Sequence, residues 1–160
     1  MTGAGHRLTG IGAAFIAAAL MHLNGGTETQ QVIAWFVAMG TTRIPDLIEF
    51  PTYRNGFKTG CLIPHRTITH WPLLWVAVWW GCNTFGGYPA AAGLGLAVGA
   101  LSHILWDAPN PMGIPWFLPH KRVSLGRKGL WRSGKGELLI VIFYGAVGFW
   151  LWFITDGKYK

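Results

Sequence analysis

Five apolar runs separated by short polar connectors set the terms for this 160-residue chain. They cover roughly 8–23, 32–44, 71–85, 89–106 and 138–154. A helix crossing the hydrocarbon layer needs about 20 mostly apolar residues, with a floor of about 17. The fourth and fifth runs reach or approach that length. The first and third need their polar ends to complete it. The second is short and meets Pro45, which suits a buried or re-entrant helix. Only 12% of the residues are charged, where a soluble domain carries about 25%. The expected fold is therefore all-α: a polytopic membrane bundle of about five transmembrane helices, with four plus a re-entrant segment as the alternative. The length suits a single integral-membrane domain over 1–160.

Charge orients the bundle. With alternating spans, one face receives Arg7, then Arg43, Arg54, Lys58 and Arg66, then Lys121, Arg122, Arg127, Lys128, Arg132 and Lys135. These are eleven of the thirteen Lys and Arg. The connectors near 24–31 and 82–88 carry none, and Lys158 and Lys160 follow the last run. Basic residues mark the cytoplasmic side, so the N-terminus is expected inside. The net charge of +7 is then a membrane signature, and nucleic acid is an unlikely partner. The basic stretch from Lys121 to Lys135 suits anionic headgroups. Cys61 and Cys82 are too few and too far apart for a disulfide framework and are expected to be free. No cleavable signal is evident, and the first run is read as a retained helix.

The ionisable residues collect on that same face. His6 opens the first helix, Asp46 and Glu49 follow the second, His65 and His70 precede the third, and His103 and Asp107 close the fourth. Ionisable groups at the edge of the hydrocarbon are costly and mark function. His103 and Asp107 are four apart and share a helix face. They can bind one metal together, or the carboxylate can orient the imidazole. Alternatively, Asp107 simply meets water at a helix end. His65 and His70 are five apart, so a turn rather than a regular helix must hold them, with Thr67 or Thr69 near the cap and His70 in the first turn. Arg66 between them could grip an anionic oxygen or merely anchor the topology. Asp46 is a candidate ligand, while Glu49 is a candidate ligand, a general base or a polar helix stop. His22 lies at the far end of the first helix and is excluded from the site. His120 is expected at the surface. Pro109-Asn110-Pro111-Met112-Gly113-Ile114-Pro115 cannot continue a helix and could form a wall over the site.

Together these motifs resemble the YdjM-like family of bacterial inner-membrane proteins, described as membrane-bound metal-dependent hydrolases. The resemblance rests on Gly5-His6, Pro45-Asp46, His65-Arg66-x-x-Thr69-His70, Ser102-His103-Ile104-Leu105-x-Asp107, Pro111-x-Gly113-Ile114-Pro115 and Pro119. The family's Pro-Asp-x-Asp becomes Pro45-Asp46-Leu47-Ile48 here, leaving Glu49 as the neighbouring acid. The His and Asp pattern is also similar, more loosely, to zinc-dependent phospholipase C and P1-type nucleases.

The resemblance implies an inner-membrane hydrolase with a divalent metal, zinc first, as one or two ions. His65, His70, His103 and Asp107 are the leading metal ligands, followed by Asp46 and His6. Asp46, Glu49 and Arg66 are the expected catalytic groups. A site at headgroup depth implies membrane lipids as partners and a lipid or lipid-linked phosphoester as substrate. The alternative is a non-catalytic membrane module whose metal is structural and docks a partner protein. A metal transporter is disfavoured, because it would want polar groups at mid-membrane. The sequence is silent on oligomeric state.

Overall fold

A computed structural model describes residues 1–126, 134 and 136–155, apart from the side chain of Lys58. A helix forms over each of the five apolar runs: α1 (Gly3–Leu23), α2 (Glu28–Thr41), α4 (Pro72–Asn83), α5 (Gly87–Asp107) and α6 (Glu137–Thr155). Between α2 and α4 lies a further four-residue helix, α3 (Ile44–Leu47). Local chemistry sets several ends. The Thr2 hydroxyl accepts the Gly5 N–H at the start of α1. Thr27 and Gln30 form a reciprocal capping box on α2. Pro45 sits in the first turn of α3 and Pro72 in that of α4, where a missing N–H costs nothing.

Among the described residues, three helices are long and apolar enough to cross a membrane: α1, α5 and α6. The other two are shorter, with 14 residues in α2 and 12 in α4. At 1.5 Å per residue they cover only about 20 Å of a roughly 30 Å hydrocarbon layer. The fold is mainly helical, as expected, with two small sheets in its connectors. The segment after α3 folds into a hairpin of β1 (Pro51–Arg54) and β2 (Phe57–Cys61). Asn55 and Gly56 both take positive φ in its turn, the conformation a two-residue hairpin loop requires. A second small ladder pairs β3 (Ile114–Pro115) with β4 (Arg122–Val123). These strands lie in connectors whose apolar runs are too short to register as spans.

Helix α1 packs against α2, α5 and α6, and α5 also packs against α2 and α4. Small residues make this possible. Alanines from α1, α2 and α5 form one apolar cluster with Met21, Leu94 and Tyr144. Gly95 and Gly99, one turn apart on α5, lie directly against the α2 backbone at Ala34 and Ala38. Gly148 of α6 meets the Gly12 carbonyl of α1 in the same way. Close backbone approach of this kind replaces the hydrophobic drive that lipid cannot supply. A second cluster gathers Trp75, Ala97, Ala100, Ile104, Ala108 and Ile114 beneath the connector that follows α5. Cys61, in the hairpin, and Cys82, near the end of α4, are both free.

Candidate metal centre

The start of α1, the end of α2 with α3, the segment 65–70 and the end of α5 converge at one end of the bundle. His103 sits on the last turns of α5 and is fully buried. Its Nδ1 lies 2.8 Å from the Thr42 carbonyl. A carbonyl only accepts, so Nδ1 carries the proton and Nε2 presents a bare lone pair. His70 is also fully buried. It sits in a short 3₁₀ turn, Ile68–His70, ahead of α4 rather than in the first turn of that helix. Thr67 precedes this turn without a side-chain cap. The His70 Nδ1 lies 3.0 Å from the Thr69 hydroxyl and 3.2 Å from Glu49 Oε1. Its Nε2 therefore also faces inward, 3.2 Å from the Nε2 of His103.

Two carboxylates complete the cluster. Asp46 Oδ1 lies 3.5 Å from His70 Nε2, 3.6 Å from His103 Nε2 and 3.8 Å from His65 Nδ1. Asp107 Oδ2 lies 3.8 Å from His70 Nε2 and 3.7 Å from His103 Nε2. Arg66 already balances Asp107, at 2.7 Å, but the two imidazole lone pairs that face each other beside Asp46 repel unless a positive charge sits between them. That charge can be a proton shared between the rings or a cation. Asp46 Oδ1 is buried and has no hydrogen-bond partner among the described residues. Four donors at about 2.0–2.1 Å around a zinc ion stand about 3.3 Å apart, close to the 3.2–3.8 Å spacings here. The donor set of two imidazoles and two carboxylates fits a divalent cation.

The flanking residues divide by role. Glu49 is fully buried behind the histidines. Its Oε2 lies 2.6 Å from His65 Nδ1, and its Oε1 accepts the Arg66 N–H and the Thr69 hydroxyl, both at 3.0 Å. Ile48, at the family's second acidic position, packs instead against the second apolar cluster. His6 stacks on the His103 ring with centroids 3.8 Å apart, and its Nε2 lies 3.4 Å from Asp107 Oδ1. It thus joins His103 and Asp107 in one group able to hold a metal, while Asp46, Glu49, His65 and His70 form another. Arg66 is buried and takes a left-handed backbone, φ 57°. Its Nη2 donates to Asp107 Oδ2 at 2.7 Å, while Nε and Nη1 have no partner among the described residues. The cluster is not sealed: the Asp46 side chain is 28% exposed and that of His65 33%.

Electrostatics follow from this packing. Burial pushes the Asp46 carboxyl up, but its closeness to His103 and His70 outweighs that and holds the group well below its usual range. Burial likewise opposes ionisation of Glu49, and His65, His70 and the Arg66 N–H reverse that effect. Burial would lower His70, yet Asp46 and Glu49 raise it above its ordinary value.

Of the residues singled out by sequence, all eight lie at this end. His22 is at the other end, within 3.2 Å of the Gln31 amide, and His120 is exposed. The Pro109–Pro115 segment does close over the site: Asn110 donates to Asp107 Oδ1 at 2.9 Å and Ile114 enters the core. Most of the basic stretch from Lys121 to Lys135 lies outside the described residues. Three contributors were not singled out beforehand. The Thr42 carbonyl has no side-chain signature. Thr69 was noted only as a cap. Asn110, three residues after Asp107, was legible only as part of a proline-rich connector.

Comparison with curated proteins and with solved structures gave no match. A family model described as YdjM inner membrane protein matches residues 1–157. That match takes in every residue of the cluster, and the chain belongs to the YdjM inner membrane protein family.

Proposed function

We propose that this chain is a membrane-bound, metal-dependent hydrolase acting on the phosphoester of a lipid or lipid-linked molecule at the headgroup layer. The observation that carries this reading is the set of four donor atoms, Asp46 Oδ1, His70 Nε2, His103 Nε2 and Asp107 Oδ2. They are contributed by three separate segments, and each carboxylate oxygen lies 3.5–3.8 Å from both ring nitrogens, as ligands of one divalent cation would. His65 and His6 flank the set and would serve a second ion. Zinc suits the donors best, with manganese or iron as alternatives. When bound, the cation supplies Lewis acidity, polarising a phosphoryl oxygen and making water acidic enough to attack near neutral pH.

The protein's own groups do the rest. Arg66 keeps Nε and Nη1 uncommitted beside the cluster, where a planar fork suits two oxygens of a phosphate. Asp46 stands on the wet side and takes the proton as water adds to phosphorus, then returns it to the leaving oxygen as the ester P–O bond breaks and the alcohol departs. Glu49, with both its oxygens engaged, takes no part in the proton transfer. In a bundle of five spans, with polar ends completing α2 and α4 and the N-terminus cytoplasmic, the site faces the inner leaflet's headgroups. Four protein donors alone would close a tetrahedral zinc; the exposed side at Asp46 and His65 would let water or substrate join as a further ligand, which catalysis needs.

The test is hydrolysis of phospholipids and of a generic phosphodiester by purified protein reconstituted with zinc or manganese. Turnover that disappears in His103→Ala supports the reading. Stoichiometric metal without turnover on any of these substrates overturns it in favour of a metal that staples the loops and docks a partner.

A further inference from the structure

We infer that Glu49 is a positioning residue: the buried carboxylate that holds His70, His65 and Arg66 in place from behind the cluster. The inference rests on the metal reading above and assigns this residue a task distinct from ligation and from proton abstraction. Glu49 is the residue on which the 65–70 segment converges. Its two oxygens face the Arg66 N–H, the Thr69 hydroxyl, His70 Nδ1 and His65 Nδ1, all at 2.6–3.2 Å. It is fully buried, whereas Asp46, three residues earlier on the same turn, is open to solvent.

Each contact has a consequence for the cluster. An imidazole facing a carboxylate through Nδ1 keeps its proton there and leaves Nε2 free to coordinate, the usual support for a metal-bound histidine. His70 is oriented in this way by Glu49 and Thr69. His103 receives the same support from the Thr42 carbonyl, so each inward-facing ring has its own acceptor behind it. Arg66 adopts a left-handed backbone that a non-glycine residue takes only under constraint. Its N–H is the group Glu49 accepts, and its guanidinium is thereby delivered to Asp107. The Cys61 thiol, 3.7 Å from Oε2, ties the hairpin to the same carboxylate.

The experiment compares wild type, Glu49→Gln and Glu49→Asp, each purified in the same detergent. Cobalt titration followed by its visible absorption gives affinity, stoichiometry and coordination geometry. Helicity by circular dichroism shows whether each variant folds. The expected result is that Glu49→Gln keeps the wild-type number of cobalt ions but binds them 10–100-fold more weakly, the usual cost of losing such support. Its spectrum should be altered, and Glu49→Asp should recover part of the affinity. Loss of one whole equivalent of cobalt from Glu49→Gln would make Glu49 a ligand and overturn the inference. Unchanged affinity and spectrum would overturn it as well. Absence of cobalt binding in the wild type would strike the metal reading itself. A variant that loses helicity is replaced by Thr69→Val, which removes one donor to Glu49 and the hydroxyl beside His70. It is expected to weaken cobalt without changing its number, and unchanged binding would overturn the inference.

Discussion

The two ends of the bundle are closed by different kinds of bond. At the far end, the hydrogen bonds are local. Thr27 and Gln30 cap α2 across three residues, and Gln31 reaches the Gly26 carbonyl and His22. At the site end they span the chain: Arg66 to Asp107, His103 to Thr42, and Thr2 to Glu137 of α6. Local bonds only finish a turn. Long-range bonds fix the relative positions of segments, at a greater cost in chain entropy. A buried cluster of like-facing acids and imidazoles gives no stability by itself, so the structure invests in one end for something other than folding.

The sharpest way to break this contrast is to remove one histidine from each end. His103→Ala should lower metal affinity by more than about 100-fold, because it deletes an inward-facing ligand where even outer supports are worth 10–100-fold. His22→Ala should leave metal content unchanged. Elemental analysis of the two purified proteins checks both. Full metal content in His103→Ala would erase the distinction between the ends.

Acidification is the next largest perturbation. Metal binds neutral imidazole, so protons compete with it as pH falls. Asp46 and Glu49 raise His70 above its ordinary 6.5, so the competition begins above that value and strengthens below it. As His70 takes up its proton, affinity should fall by up to about tenfold per pH unit. Isothermal titration at pH 8, 7 and 6 measures the slope. A flat profile would mean that the histidines are not ligands. The Thr27–Gln30 cap at the far end, a hydroxyl and an amide, should be indifferent over the same range.

The same contrast explains what could be seen in the sequence. The five helices were legible because a run of apolar residues is a local property of the chain. Those on α1, α5 and α6 carry enough length to span by themselves. The hairpin at 51–61 and the ladder at 114–123 were not, because their strands are four to five and two residues long and sit in polar connectors. The site was legible as a list of residues, since charge alternation alone puts His6, Asp46, His65, His70, His103 and Asp107 at one end. Their division of labour was not. That Asp46 faces the rings while Glu49 stands behind them depends on how a four-residue helix turns after Arg43. That His103 is held by a carbonyl leaves no trace in any side chain.

Arg66→Lys sharpens the comparison within the site. Lysine keeps a charge near Asp107 but loses the fork that leaves two donors uncommitted. A charged hydrogen bond is worth about 1.5–3 kcal/mol, so inhibition by inorganic phosphate should weaken about tenfold or more while metal content holds. Equal inhibition of the two proteins would remove Arg66 from the anion site.

Thr27→Ala probes the far end. Losing an N-cap hydroxyl should cost about 1 kcal/mol, visible as a lower thermal midpoint in detergent with metal affinity intact. A change in metal affinity would show that the two ends are coupled.

The smallest expected effect lies between the ends. The Ser102 hydroxyl and the Tyr144 phenol are hydrogen-bonded to each other, buried, and join α5 to α6. Ser102 precedes His103, so the bond could in principle hold the metal face as well as the helix pair. Tyr144→Phe keeps the ring, which packs at 5.3 Å from Trp106, and removes only the hydroxyl. Hydrogen bonds between membrane helices average about 0.6 kcal/mol, because the separated helices find other partners. A destabilisation of that order with unchanged cobalt affinity would assign the bond to helix packing. The close contact of Gly148 with the Gly12 backbone would then dominate how α6 is held. A tenfold fall in cobalt affinity would instead extend the site's supports one turn into the bundle, through α5.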